Sequence, residues 1–388
     1  MSGFYQVIFL GSVDERRANI QGALTARVSD LGLPRDAIAF FDPSDAGARN
    51  RSLPTLGIYL GGEPAGGATD LLRELISESL IIVPVVSNLE RVRDEVAPEL
   101  LAVNALELAY GGAGLDRLAS LVLETFRLLR TERRLFISYK RDDSQPFANR
   151  LYDALDAHGF DVFIDVRSVP PAVDFQSELW HRMSDADVVV LVDTPGFRAS
   201  RWTTAELARA NLMNIQILHL LWPGQAEDST SAFSHFVELQ STDFDGAVSR
   251  GEMVQSATLA RICAEAERLR ARAIAARQRY LIDNFCDAAR DLGLEPAVQA
   301  EQWIALPHGD GHELVVVPAV GVPTSDRLDT IFKSIGRRMR NDRDVWVIYD
   351  SRGMLSTWLA HLDWLDEHLP IRAVRMANAP EMLRGLES

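Results

Sequence analysis

The segment Ser200-Arg-Trp-Thr-Thr-Ala-Glu-Leu-Ala-Arg-Ala210 carries the pair of residues best suited to chemistry. Trp202 and Glu206 are four residues apart on a stretch that reads as a helix, so both side chains project from one face. At the rim of an α/β sheet, a carboxylate beside an indole can hold a ribose by its hydroxyls and shield the carbon that reacts. The plain alternatives are a solvated acid on a helix that also offers Arg209, and a tryptophan anchored in a core. Upstream, the loop Tyr139-Lys140-Arg141 follows a strand-like run and can set a cation or an aromatic ring against a diphosphate or an adenine. A solvated loop is its bland counterpart.

Other reactive-looking groups read better as structure. Ser138 follows a strand, but no Gly-x-Ser-x-Gly elbow surrounds it. His308, Asp310 and His312 flank an Asp-Gly turn, and a hairpin tip explains them better than a metal. The basic cluster Lys333-Ser-Ile-Gly-Arg-Arg-Met-Arg340 reads as a solvated helix face. Gly11-Ser-Val-Asp14 follows a strand without forming a dinucleotide-binding glycine fingerprint. No metal site is expected.

These residues sit in a chain of 388, long enough for two or three domains with ordinary cores. Hydrophobic content of 47% and charged content of 24% are those of a soluble globular protein. A formal net charge of −15 disfavours broad binding to nucleic acid or anionic lipid. The two cysteines, Cys263 and Cys286, lack metal-ligand spacing and are too few for a disulfide framework, which suits a reducing cytoplasm. The first ten residues read as a strand rather than a signal peptide, and no apolar run approaches the roughly 18 residues that span a bilayer.

Three α/β blocks follow one another: 1–130, ending in a linker helix, then 131–275, and a mixed block over 276–388. In the first, apolar strands at Val7–Leu10, Ile38–Phe41, Leu56–Leu60 and Leu80–Val86 alternate with helices at Asp14–Leu31 and Asp70–Ser79. In the second, strands are expected at Leu135–Ser138, Asp161–Asp165, Val188–Val192 and Ile215–Leu221, with helices at Pro146–His158, Phe175–Ser184 and Thr203–Leu212. Runs that are apolar throughout suit strands buried on both faces of a parallel sheet, and this rhythm is that of a flavodoxin-like doubly wound domain. The stretch 225–245 reads as a polar connection, and 256–292 as one long helix. In the third block, Trp303–Leu306 and Glu313–Pro318 form a hairpin, followed by helix, strand, helix and strand over 326–374.

The second block resembles a Toll/interleukin-1 receptor (TIR) domain. Leu135-Phe-Ile-Ser-Tyr-Lys-Arg-Asp-Asp143 is similar to that family's first strand and loop, and Gly159-Phe-Asp-Val-Phe-Ile-Asp165 to its second strand. Residues 166–174 stand in the place of the BB loop, with Pro170 and Pro171 where many members have a glycine. Met183–Val192 and the segment from Ser200 to Glu206 complete the set. The first block follows a similar order without a Trp-x-x-x-Glu, as a degenerate TIR-like or receiver-like module would.

The resemblance implies one of two activities. Some TIR domains are adaptors that associate with other TIR domains; others cleave the nicotinamide–ribose bond of NAD⁺ with a glutamate on this helix. Glu206 stands at that glutamate's position and Trp202 at the aromatic before it. Phe136, Ser138, Tyr139, Lys140, Arg141 and Asp165 are the further expected lining of the NAD⁺ pocket. The reading that follows is a self-associating NAD⁺ glycohydrolase with no required cofactor and an unknown trigger or partner protein, which acts in bacterial antiphage defence. The alternatives are a non-enzymatic TIR scaffold and, third, an NAD⁺-binding sensor.

Overall fold

The computed structural model describes the chain apart from residues 1–2, 63–69, 110–113, 165–174, 198–212, 228–233, 300, 309–311, 336–344 and 387–388. The chain divides into two compact units, Met1–Thr131 and Glu132–Ser388. The described strands form three five-stranded sheets, one in the first unit and two in the second.

In the first unit, strands β1 (Tyr5–Gly11), β2 (Ile38–Phe41), β3 (Thr55–Leu60), β4 (Ile81–Val86) and β5 (Leu106–Glu107) form a parallel sheet in the order β2-β1-β3-β4-β5. Six consecutive residues of β1 are buried, as expected of a strand covered on both faces. Helices α1 (Glu15–Asp30), α2 (Asp70–Ser77), α3 (Val92–Glu95) and α4 (Leu115–Thr125) connect and cover the sheet. Asp14 caps α1 by accepting the Arg16 N–H at 2.9 Å, and Arg27 ties α1 to Asp116 of α4 at 2.6 Å. Strand β5 lies outside the sequence expectation because two residues are too short to show a period.

The second unit starts with strands β6 (Arg134–Ser138), β7 (Asp161–Ile164), β8 (Val188–Asp193), β9 (Gln216–Leu221) and β10 (His235–Glu238). They are parallel, in the order β10-β9-β8-β6-β7, the same winding as in the first unit. This is the flavodoxin-like order expected from the sequence. Helix α5 (Arg141–Ala157) buries Phe147, Leu151 and Leu155 against one face, and α6 (Phe175–Asp185) puts Met183 on the other. The expected start of α5 at Pro146 marks a real break: Ser144 is non-helical, and Pro146 opens the regular run after it. The expected helix Thr203–Leu212 lies outside the described residues. Strand β10, within the stretch read as polar connection, pairs with β9 alone among the described strands; an edge strand of four residues shows little apolar pattern.

Helix α7 (Ser256–Asp291) runs unbroken for 36 residues, about 54 Å at 1.5 Å per residue. It is rich in Ala and Arg, good helix formers, and holds no Gly or Pro. It ends in a Schellman motif: Gly293 takes φ +79°, its N–H reaches Arg290 O at 2.8 Å, and the Leu294 N–H reaches Ala289 O at 3.0 Å. Its first half packs Leu259, Ile262, Cys263 and Ala266 into the core of the β6–β10 sheet. Its second half packs Leu281, Phe285, Cys286 and Ala289 into the next core. Both cysteines are free and buried, and burial pushes the Cys263 thiol up to about 12.

That next core belongs to strands β11 (Ala297–Val298), β12 (Ile304–His308), β13 (His312–Ala319), β14 (Val345–Tyr349) and β15 (Arg372–Arg375), in sequential order. The expected hairpin is present, with His308 paired to His312, while β13, β14 and β15 run parallel through α8 (Ser325–Ile335) and α9 (Ser356–His368). The sheet is therefore mixed. A short helix α10 (Ala379–Arg384) closes its α7 face.

Polar contacts fix α7 against the N-terminal edge of the β6–β10 sheet. Arg270 and Asp187, both fully buried, meet at 3.0 Å. Arg277 donates to Ala186 O at 2.9 Å and Ser184 O at 2.6 Å, and Arg133, just before β6, pairs with Glu267. Two more links run from α6 to the third sheet's loops: Val322 N–H donates to Asp185 Oδ1 at 2.9 Å, and Leu355 N–H to His181 Nδ1 at 3.4 Å. Burial, reinforced by the charges of Arg182 and Arg134, holds the His181 imidazole below its ordinary 6.5 despite the opposing carboxylate of Glu178.

Arg270→Met is expected to destabilise the second unit by about 3–5 kcal/mol in urea titrations, because it strands a buried carboxylate, and adding Asp187→Leu should recover most of that loss. The His181 linkage has a definite sign. With its folded value depressed, its contribution is complete above 6.5 and is lost as pH falls from 6.5 toward the folded value. Over that window the melting temperature of the native chain should fall more steeply than that of His181→Asn, which keeps an acceptor for the Leu355 amide but cannot titrate.

Candidate functional site

In a sheet wound in this order, the connections leave the first and third strands in opposite directions, opening a crevice at their C-terminal ends. In the second unit that switch point lies between β6 and β8. The loops that bound it are residues 139–143, leading into α5, and the run Thr194-Pro195-Gly196-Phe197 after β8.

Side chains bridge these loops. Lys140 Nζ lies 3.5 Å from Asp143 Oδ1, and the Thr194 hydroxyl donates to Asp143 Oδ2 at 2.9 Å. Gly196 presses on the same cluster: a Cβ there would stand 2.6 Å from Lys140 Nζ and closer still to Asp143 Oδ2. A larger residue at this position would push these two side-chain ends aside. One strand over, His219 Nε2 of β9 meets Asp193 Oδ2 of β8 at 3.0 Å, both residues buried, and the imidazole stacks on Phe236 at 5.0 Å.

The expected pocket residues divide. Lys140 is partly exposed at the switch point, and Arg141 is exposed, its carbonyl accepting from Arg250 Nη2 at 3.1 Å. Ser138 is buried at the end of β6. Tyr139 is buried on the face with Phe147 and Leu151, whereas Phe136 is buried on the other face, stacked on Phe163 at 5.3 Å. The sheet therefore sends Phe136 and Tyr139 to opposite sides. Asp165, Trp202 and Glu206 lie outside the described residues. The segment that holds the last two leaves from Phe197 and returns at Met213, both buried in one cluster with Phe136.

Asp143, Thr194, Asp193 and His219 were not singled out from the sequence. A signal existed for two of them: Asp193-Thr194 directly follows the apolar run Val188–Val192, at the strand end where an open α/β sheet binds its ligands. His219, inside an apolar run, had none. No group of three or more His, Cys, Asp or Glu suited to a metal occurs among the described residues, His308 and His312 included. Nor is any described helix long and apolar enough to cross a membrane.

The first unit has its own switch point, between β1 and β3, and there a protein side chain fills it. Arg16, 1% exposed, grips Asp14 at 2.6 Å and donates to Gly61 O at 2.5 Å. The Ser12 N–H donates to Leu60 O at 2.8 Å, closing the two strand ends on each other.

The second unit thus begins with a doubly wound parallel domain whose switch-point loops are bridged by polar side chains. Its residues 135–254 match the family model of the TIR domain, and this central region is a TIR domain. A comparison with curated proteins gave no match. Among solved structures, the chain is similar to the C-terminal domain of glucosamine-fructose-6-phosphate aminotransferase from Francisella tularensis, at 10% identity and a TM-score of 0.20, over 71% of this chain and 85% of that one. It is also similar to a putative tagatose-6-phosphate ketose/aldose isomerase from Clostridium novyi, at 9% identity and a TM-score of 0.21, over 70% and 79%. At such scores the likeness carries no argument.

Gly196→Ala should break the Thr194–Asp143 hydrogen bond by displacing the carboxylate. The expected cost in denaturant titration is about 0.5–1.5 kcal/mol, the net worth of one such bond, with the fold retained.

Proposed function

We propose that the TIR domain hydrolyses the nicotinamide–ribose bond of NAD⁺, with Glu206 as the catalytic carboxylate. The match of residues 135–254 to the TIR family carries this reading, since the matched range includes both the Trp202–Glu206 segment and the loops of the switch point. Glycoside hydrolysis ordinarily needs a second carboxyl group to protonate the leaving oxygen. NAD⁺ does not, because its leaving group is a cationic pyridinium. The C–N bond breaks with its electron pair going to the ring nitrogen, and nicotinamide departs neutral. What the reaction needs is an anion that stabilises the positive charge developing on the ribose. Glu206 supplies it, Trp202 shields the reacting carbon, and Lys140 lies near enough to the crevice to attract the diphosphate. Water then adds to the anomeric carbon and releases a proton, giving ADP-ribose; attack by an adenine nitrogen gives a cyclic product instead.

Self-association through TIR domains is the proposed activating step, with the flanking blocks as its control and depletion of NAD⁺ as a defence response. A scaffold role is favoured for the first unit in particular. It repeats the strand order of the TIR sheet, but Arg16 fills its switch point.

Incubation of the purified chain with NAD⁺, dilute and then crowded, should release nicotinamide, and Glu206→Ala should reduce the release to background. No release from the native chain in either condition, with TIR–TIR binding intact in Glu206→Ala, would turn the reading to a scaffold.

A further inference from the structure

The opposite edge of the TIR sheet holds a second candidate site. There the starts of β6 and β7 and the end of α6 meet residues 322–324 and helix α9 around a cavity of about 310 Å³. That is the lower end of the range for small-molecule pockets, roughly 300–1,000 Å³. Its frame is held by polar edges already in use. Asp185 Oδ1 accepts from Val322, His181 Nδ1 accepts from Leu355, and the Trp358 indole N–H donates to Pro323 O at 3.3 Å. The indole N–H is thus engaged, and His181 and His361 lie against the ring with centroids at 5.9 and 5.6 Å, so a ligand would meet the part of the indole that lines the cavity. Because His181 Nδ1 accepts, the neutral ring carries its proton on Nε2, a donor for the cavity.

The charges of the lining cancel. Arg134 pairs with Asp185 and lies 3.6 Å from Asp161, while Arg182 donates to Glu178 at 2.8 Å and covers the Phe163 ring at 5.4 Å. Two guanidinium groups and two carboxylates line the space, and both guanidinium groups have carboxylate partners. A phosphate entering here would meet Asp161 and Asp185 without an uncommitted cation to receive it. A flat, neutral molecule with donors and acceptors on its edge suits it better, set against the Trp358 indole and bonding to the His181 Nε2–H, the Asp161 carboxylate and Arg182.

We propose that this cavity, between the TIR sheet and the loops of the third sheet, binds a neutral nucleoside or nucleobase. The site is separate from the switch point and independent of the reaction proposed there. Its ligand would touch the TIR domain and the C-terminal block at once, adding contacts between them.

The test is calorimetric titration of the full chain with adenosine, guanosine, cytidine and uridine, and with the 5′-monophosphate of whichever binds. At least one nucleoside should bind saturably, with its monophosphate no tighter. Trp358→Ala should weaken binding about 10-fold or more, as loss of base–aromatic stacking does, and Thr324→Tyr, which fills the cavity, should do the same. Trp364→Ala, on the same helix but 53% exposed and away from the lining, should bind as the native chain does and serves as the folding reference. The proposal is overturned if none of the four binds, or if the monophosphate binds more tightly. It is equally overturned if binding survives in both Trp358→Ala and Thr324→Tyr, which would place the nucleoside elsewhere, the switch point included.

Discussion

The second unit depends on a buried ion pair. Arg270 in the middle of α7 and Asp187 at the start of β8 are both withdrawn from water, and each would be costly without the other. Desolvation offsets most of their attraction, so the pair contributes little net stability. Its effect is on register: any sliding of α7 along the sheet that separates the charges leaves two buried ions unpaired. Arg277 and the Arg133–Glu267 pair act on the same stretch of helix. Because α7 runs on without a break into the core beneath the third sheet, fixing its register on the TIR sheet also places that sheet.

This arrangement divides the TIR sheet by function. Its N-terminal edge is committed to structure: Asp187 and Arg133 contact α7, Asp185 holds the Val322 amide of the third sheet's loops, and Arg134 pairs with Asp185. The C-terminal edge carries the switch point, where Lys140, Asp143 and Thr194 link the two loops. Chemistry at one end and attachment at the other is the usual economy of open α/β sheets. The cavity beside His181 lies at the attached end, where a bound molecule touches both blocks of the unit.

The two windings in one chain place different groups at the same point of the same strand order. Both units have the order 2-1-3-4-5, yet one switch point is filled by Arg16 with its Asp14 partner and the other is bridged by shorter polar groups. The difference lies in which side chains the first loop supplies: an arginine two residues past the capping aspartate in one case, a lysine directly before the helix in the other.

By itself the sequence determined the local elements and their class. Apolar runs such as Val188–Val192 declare strands buried on both faces, the alternation with helices declares a doubly wound domain, and the unbroken helix formers of 256–291 declare one rod. Motifs contiguous in the chain were enough to mark the TIR region. Strands β5, β10 and β11 were not legible, because two to four residues at a sheet edge owe their conformation to the neighbour they pair with. Nor was the division of Phe136 and Tyr139 between two faces drawn from the motif they share, though the pleat requires it. Tertiary structure alone decided which distant groups meet: His219 with Asp193, Arg270 with Asp187, Arg16 with Gly61, and Arg134 with Trp358 across one cavity. The physical reason is that periodicity encodes which side of an element is buried, while partners on different elements are chosen only when those buried sides pack together.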